Sequence, residues 1–93
     1  MIYLKVEWLH ELQAEPIILY SELSDERSEL RKVEVFRNGV LGYAYDVDSK
    51  GTTQLSETTL PSESEIASDA QFKPTIITKE EFEEIWEKAV FKS

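Results

Sequence analysis

Leu30-Arg31-Lys32-Val33-Glu34-Val35-Phe36-Arg37-Asn38-Gly39-Val40-Leu41-Gly42-Tyr43-Ala44-Tyr45-Asp46-Val47 reads as a β-hairpin. Two runs rich in valine, phenylalanine and tyrosine flank Asn38-Gly39. That pair is preferred in a type I′ turn, where both central residues need positive φ. A two-residue loop predicts the register: Arg37 faces Val40, Phe36 faces Leu41, Glu34 faces Tyr43 and Lys32 faces Tyr45. One face then carries Val33, Val35, Gly42 and Ala44. The other carries Lys32, Glu34, Phe36, Leu41, Tyr43 and Tyr45. The small residues of the first face would let a helix or an indole approach closely, so that face is expected to be the core.

Outward from the hairpin, two more alternating stretches precede it. Ile2, Leu4, Val6 and Trp8 alternate with Tyr3, Lys5 and Glu7, the pattern of a half-buried strand. Residues 17–23 repeat it, with Ile17, Leu19 and Leu23 opposite Tyr20 and Glu22. Pro16 ends the break between the two, and Ser24 to Glu29 reads as a charged turn. After the hairpin, residues 48–61 are polar and read as a loop, with room for a short strand near Thr53 to Leu55. Ser62 and Glu65 form a capping-box pattern that predicts a short helix over about Glu63 to Asp69; Phe72 and Pro74 read as a connector. The last element is the clearest helix. Thr78 and Glu81 form a second capping box, and Phe82, Ile85, Trp86 and Ala89 make one apolar stripe. Its glutamates crowd the N-terminal half, where they suit the helix dipole.

The bulk numbers exclude several classes. Ninety-three residues with 41% hydrophobic content suit one folded domain, residues 1–93. No apolar run approaches the roughly 18 residues of a membrane span, and the N-terminus lacks a signal-peptide pattern. The chain has no cysteine, which fits a reducing compartment, so a cytoplasmic location is expected. Acidic residues number 19 against 10 basic, a net charge of −9. Residues 1–47 hold nine acids and five bases, residues 48–93 ten and five, so neither half offers the basic patch a nucleic-acid binder needs. Such a charge favours a basic protein partner and steered association.

Candidate chemistry is sparse. Asp46-Val47-Asp48-Ser49-Lys50-Gly51 with Glu57 resembles the calcium loop of the EF-hand family. Lys50 falls where a ligand should, and a strand enters where a helix should, so no metal is expected. His10 continues the core-facing row and reads as a histidine hydrogen-bonded at a sheet edge. Its functional reading is a base or ligand beside Glu11 or Glu22. The carboxylate pairs Asp25-Glu26, Glu80-Glu81 and Glu83-Glu84 are neighbours on one surface and do not face each other across a cleft. Gly39, Gly42 and Gly51 match no phosphate-binding fingerprint.

Four stretches carry a family resemblance: Lys5-Val6-x-Trp8-x-His10, Glu15-Pro16 through Leu23, Arg31-Lys32-Val33-Glu34-x-Phe36-x-x-Gly39, and Lys79-Glu80-Glu81-Phe82-Glu83-x-x-Trp86. They resemble a family of small uncharacterised bacterial proteins, a domain of unknown function of about this length. Its members look like small acidic proteins that accompany bacterial toxins. The resemblance implies no catalytic residue.

These readings predict an α+β fold: an antiparallel sheet of about four strands, with the C-terminal helix and a short second helix on one face. The expected core is Leu4, Val6, Trp8, Ile17, Leu19, Val33, Val35, Ala44, Phe82, Ile85 and Trp86. The expected function is a small acidic protein-binding module, an immunity-type antitoxin that covers a basic surface of its target. It would use Tyr3, Tyr20, Glu22, Lys32, Glu34, Phe36, Tyr43 and Tyr45, since tyrosine is enriched at interfaces. No enzyme activity, cofactor, nucleic acid or membrane is expected, and the oligomeric state is left open. The alternative is a ligand-binding or enzymatic domain with a pocket near His10 and Glu22.

Overall fold

The computed structural model describes residues 1–45, 48–50, 53–56 and 58–92. It is α+β, as expected. The elements in chain order are β1 (Ile2–Trp8), β2 (Pro16–Leu23), β3 (Glu29–Phe36), β4 (Leu41–Tyr45), β5 (Asp48–Lys50), α1 (Glu63–Ala67), β6 (Phe72–Ile76) and α2 (Lys79–Lys92). The strands form one antiparallel sheet of six, in the order β5-β4-β3-β2-β1-β6. β1 to β4 are the four strands expected from alternation and from the hairpin signal at Asn38-Gly39. The two added strands, β5 and β6, form the edges.

The hairpin between β3 and β4 corrects the predicted register. Val35 pairs with Leu41, Val33 with Tyr43 and Arg31 with Tyr45, one residue away from the expected pairing. The loop has three residues, not two. The Gly39 amide donates to the Phe36 carbonyl, and the Phe36 amide donates to the Val40 carbonyl, both at 2.9 Å. Gly39 has φ 87°, while Asn38 is not among the described residues with positive φ. This is a turn closed by one left-handed glycine, the G1-bulge loop, in place of type I′. A slip of one residue exchanges every face. Val33 and Val35 therefore share a face with Leu41, Tyr43 and Tyr45, while Gly42 and Ala44 share one with Lys32 and Glu34.

The tip between β2 and β3 uses the same loop. The Arg27 amide donates to the Ser24 carbonyl and the Ser24 amide to the Ser28 carbonyl. Arg27 takes the left-handed position at φ 68°, at a cost of about 1–2 kcal/mol for a residue with a Cβ. An irregularity then steps the pairing from Leu23–Glu29 to Glu22–Arg31, which leaves Leu30 as the extra residue and sets Arg31 across from Glu22.

Both faces of the sheet are covered, so the expectation of two helices on one face is corrected. The first face carries Leu4, Val6 and Leu23, a buried cluster against which Leu60, Ile66 of α1 and Phe72 pack. The segment 53–56 lies over its other half, on β3. The Thr53 hydroxyl donates to Glu34, the Ser56 amide donates to Glu29, and the Lys32 ammonium donates to the Gln54 carbonyl. The short strand expected near Thr53 to Leu55 is this irregular strap; the strand forms at Asp48–Lys50. The second face takes α2, whose Phe82 is fully buried. The reciprocal capping box at its start is present: Glu81 N–H donates to the Thr78 hydroxyl at 3.1 Å and Thr78 N–H to the Glu81 carboxylate at 3.2 Å.

Of the expected core, Leu4, Val6, Val33, Ala44 and Phe82 are buried. Trp8, Ile17, Leu19, Val35, Ile85 and Trp86 are half-buried. Leu23, Ile77 and Ala89 complete the buried apolar set.

β6 forms where a connector is expected at Phe72 and Pro74. Ile77 N–H donates to the Tyr3 carbonyl and Leu9 N–H to the Gln71 carbonyl, so odd-numbered residues of β6 face β1 and even-numbered ones face outward. Pro74 thus sits where its missing donor removes nothing from the ladder. The Phe72 amide, also outward, is taken by the Asp69 carbonyl. The edge offers few donors to another strand, which guards it against edge-to-edge pairing.

Candidate functional site

The register places Tyr3, Glu22, Arg31 and Tyr45 in one row across β1, β2, β3 and β4. α2 lies over this row. Its Glu83 reaches down to Arg31, and its Phe82 and Trp86 flank the guanidinium at 4.9 and 5.0 Å from the ring centroids. Arg31 donates from Nε and Nη2 to the two oxygens of Glu22 at 2.7 and 2.8 Å. It donates from Nη1 and Nη2 to those of Glu83 at 3.1 and 2.7 Å. Two bidentate pairs and two ring faces use the whole planar fork, which lysine could not do.

Electrostatics follow from that geometry. The hydrogen bonds from Arg31 hold both the Glu22 and the Glu83 carboxyls below the usual carboxylate range, against the opposing effect of burial. The same bonds hold the Arg31 guanidinium above its ordinary value. Partial burial raises the Tyr3 phenol, and its hydrogen bond to Glu22 raises it further. Around the ion cluster runs an aromatic one. Tyr43 and Tyr45 each meet Trp86 edge-on at 5.7 Å, and Tyr3 meets Phe82 at 5.5 Å.

The eight residues expected on one binding face are divided. Tyr3, Glu22, Tyr43 and Tyr45 lie at or beside α2 and are partly covered by it. Tyr20 lies on the same face, farther along, with the Lys5 ammonium 5.9 Å from its ring. Lys32 and Glu34 lie on the opposite face, tied to the 53–56 strap. Phe36 follows them there by alternation along β3. The one-residue register shift is the cause.

His10 and Glu22 are not brought together. Glu22 pairs with Tyr3, seven residues along the strand direction from His10, about 20 Å at the usual rise. His10 sits beyond β1 with Nε2 at 2.7 Å from the Pro16 carbonyl, while Nδ1 accepts from Leu12 N–H at 2.9 Å. Both bonds are met by the Nε2–H tautomer, so the ring staples the β1–β2 connection. The adjoining open depression is lined by Trp8, His10, Glu11 and Arg37. Of the calcium-loop residues, Asp46, Gly51 and Glu57 lie outside the described residues. Among the described residues no group of three or more potential ligands could hold a metal ion. No described helix is long and apolar enough to cross a membrane.

Arg31, Glu83 and Glu29 are the residues that the sequence reading passed over. Glu29 is a buried carboxylate that accepts from the Ser21 hydroxyl and the Ser56 amide, both at 2.7 Å. Nothing local distinguishes it or Glu83 from the other glutamates of an acidic chain. Only the pairing across strands does.

One family model, described as a domain of unknown function (DUF6881), matches residues 2–91. No curated protein and no solved structure matches the chain.

Proposed function

The chain belongs to that family of domains of unknown function, and we propose that it is a small acidic protein-binding module. In this reading it acts in the cytoplasm as an immunity-type antitoxin, of the kind that accompanies bacterial toxins, and covers a basic surface of its target. The observation that carries the reading is the outer side of α2. Glu80, Glu84 and Glu87 recur there at helical spacing, all exposed, and Phe91 ends the row with 78% of its surface exposed. The Arg31 cluster fixes the inner side of the same helix, so the outer row is held in place before any partner arrives, which lowers the ordering cost of binding. An acidic row speeds encounter with a basic surface, and one large aromatic gives the contact an anchor. Tyr20 and the uncovered part of its sheet face would widen the contact.

The test is affinity capture from the source cell at low and high salt, repeated with Glu84→Lys/Glu87→Lys and with Phe91→Ala. The reading expects one basic protein that is retained at low salt, released at high salt and weakened by both variants. A specific complex indifferent to salt and to both variants would remove α2 from the interface.

A further inference from the structure

Between α1, the residues before it and the first face of the sheet lies a groove of about 370 Å³. Its floor is Val6 and Leu19, its walls are Leu60, Ile66 and Phe72, and among the described residues the only charged groups lining it are Glu65 and Asp69. Those two stand four residues apart at the end of α1, both exposed, and among the described residues neither has an ion-pair partner. The Glu65 carboxylate accepts from the Ser62 hydroxyl at 3.4 Å, and Asp69 Oδ1 accepts from Gln71 N–H at 2.9 Å. Among the described residues the remaining oxygens of the two carboxylates have no such partner.

We infer that this groove is a binding site for a small organic cation with an apolar body, an alkyl- or arylammonium. The apolar body fills the groove and the ammonium sits at the two carboxylates. The volume lies within the range of small-ligand sites, roughly 300–1,000 Å³, and such sites pair apolar walls with a few placed polar groups. Charge complementarity selects a cation, since a carboxylate or phosphate ligand would meet two uncompensated negative charges. The roof is held in place by design of the chain and not by the ligand. Arg27 donates from Nε to the Leu60 carbonyl at 2.9 Å and from Nη2 to that of Pro61, and it pairs with Glu63 at 3.0 Å. The Leu60 amide returns a bond to the Arg27 carbonyl. The site lies on the face opposite α2 and does not rest on the protein-binding reading.

The experiment is a two-dimensional amide NMR titration of the full chain with hexylammonium and, separately, with hexanoate. The isosteric double variant Glu65→Gln/Asp69→Asn keeps the side-chain oxygens that accept the Ser62 and Gln71 bonds. Ile66→Trp fills the groove as a second control. The expected result is saturable shifts at Val6, Leu19, Leu60, Ile66 and Phe72 with hexylammonium. Preference over hexanoate should be about fivefold, the upper end of what exposed charge pairs support. The double variant should lose that preference, and Ile66→Trp should lose binding of either probe. Equal binding of the two probes overturns the cation assignment. So do shifts centred elsewhere, no shifts at all, or groove shifts that follow protein concentration without probe, which would seat a second copy there.

Discussion

The two faces of the sheet are covered by opposite chemistry, and β3 carries both. Arg31 points to α2 and grips carboxylates from below and above. Glu29 and Glu34 point the other way and accept hydrogen bonds from Ser56 and Thr53 of an irregular strap. On one side a cation in the sheet holds an acidic amphipathic helix. On the other, carboxylates in the sheet hold a segment whose backbone and hydroxyl groups need acceptors. An acidic helix and a polar loop would each be poor cover for a sheet with plain apolar faces. Alternation along one strand serves both, because period two sends successive side chains to different layers. The teaching is that the polar residues of β3 are attachment points. They are not a solvent face.

The largest break in this comparison should come from Arg31→Ala. It leaves Glu22 beside Glu83 with no hydrogen-bonded cation, only the weaker field of Lys79, and strips the contact from Phe82 and Trp86. Glu22 keeps only 11% of its side-chain surface exposed, whereas Glu83 keeps 34%. The loss should be about 3 kcal/mol, the low end for breaking a buried pair, measured by urea unfolding. An effect under about 1 kcal/mol would mean that the cluster acts as an ordinary surface pair. Glu29→Ala should cost about 2 kcal/mol, since it leaves Ser21 and Ser56 donors without their acceptor. Amide exchange should then rise in the strap while α2 stays protected. Loosening of α2 to the same degree would show that the two faces are not separately held.

Acid should act on the helix-covered face through Glu22 and Glu83. Both are lowered in the fold, so their contribution is present above the unfolded carboxylate value of 4.5. It is lost as pH falls through the folded values. Stability should therefore drop below about pH 4.5, and Glu22→Gln should flatten that dependence, read from thermal midpoints against pH. Tyr3 runs the other way. Its raised value contributes below pH 10 and is lost above it.

The two hairpin tips sharpen the comparison at smaller amplitude. Gly39→Ala meets no atom within 4 Å, yet its φ of 87° strains any side chain. The cost should be about 1 kcal/mol. Arg27→Gly relieves a similar strain but removes the hold on Leu60, Pro61 and Glu63. Its net effect on stability should be near zero, with faster amide exchange confined to the start of α1. A gain of more than about 1 kcal/mol would show that the Arg27 side chain contributes little.

Much of this was legible residue by residue. Alternation marks Ile2 to Trp8, and the Thr78–Glu81 box with Phe82, Trp86 and Ala89 marks α2, because each signal is complete within one element. The candidate site was not legible, because its members come from four strands and a helix. Tyr43 and Tyr45 were read correctly as one face of β4. Lys32, Glu34 and Phe36 were placed beside them by a loop one residue too short. Phe72 to Ile76 is not legible as a strand, since a proline argues against one unless its nitrogen is known to face outward.

By itself, the amino-acid sequence determined the acidic balance, which is a count, and the α+β class, strands β1 to β4 and the helix starts, which depend on neighbours a few positions away. The tertiary structure alone decided the register at Gly39, the division of helices between faces, the Arg31 clamp and the groove at Glu65 and Asp69. The reason is physical. A local pattern says which side chains share a face of one strand. Only strand pairing, where a single left-handed residue can invert the outcome, says which faces meet.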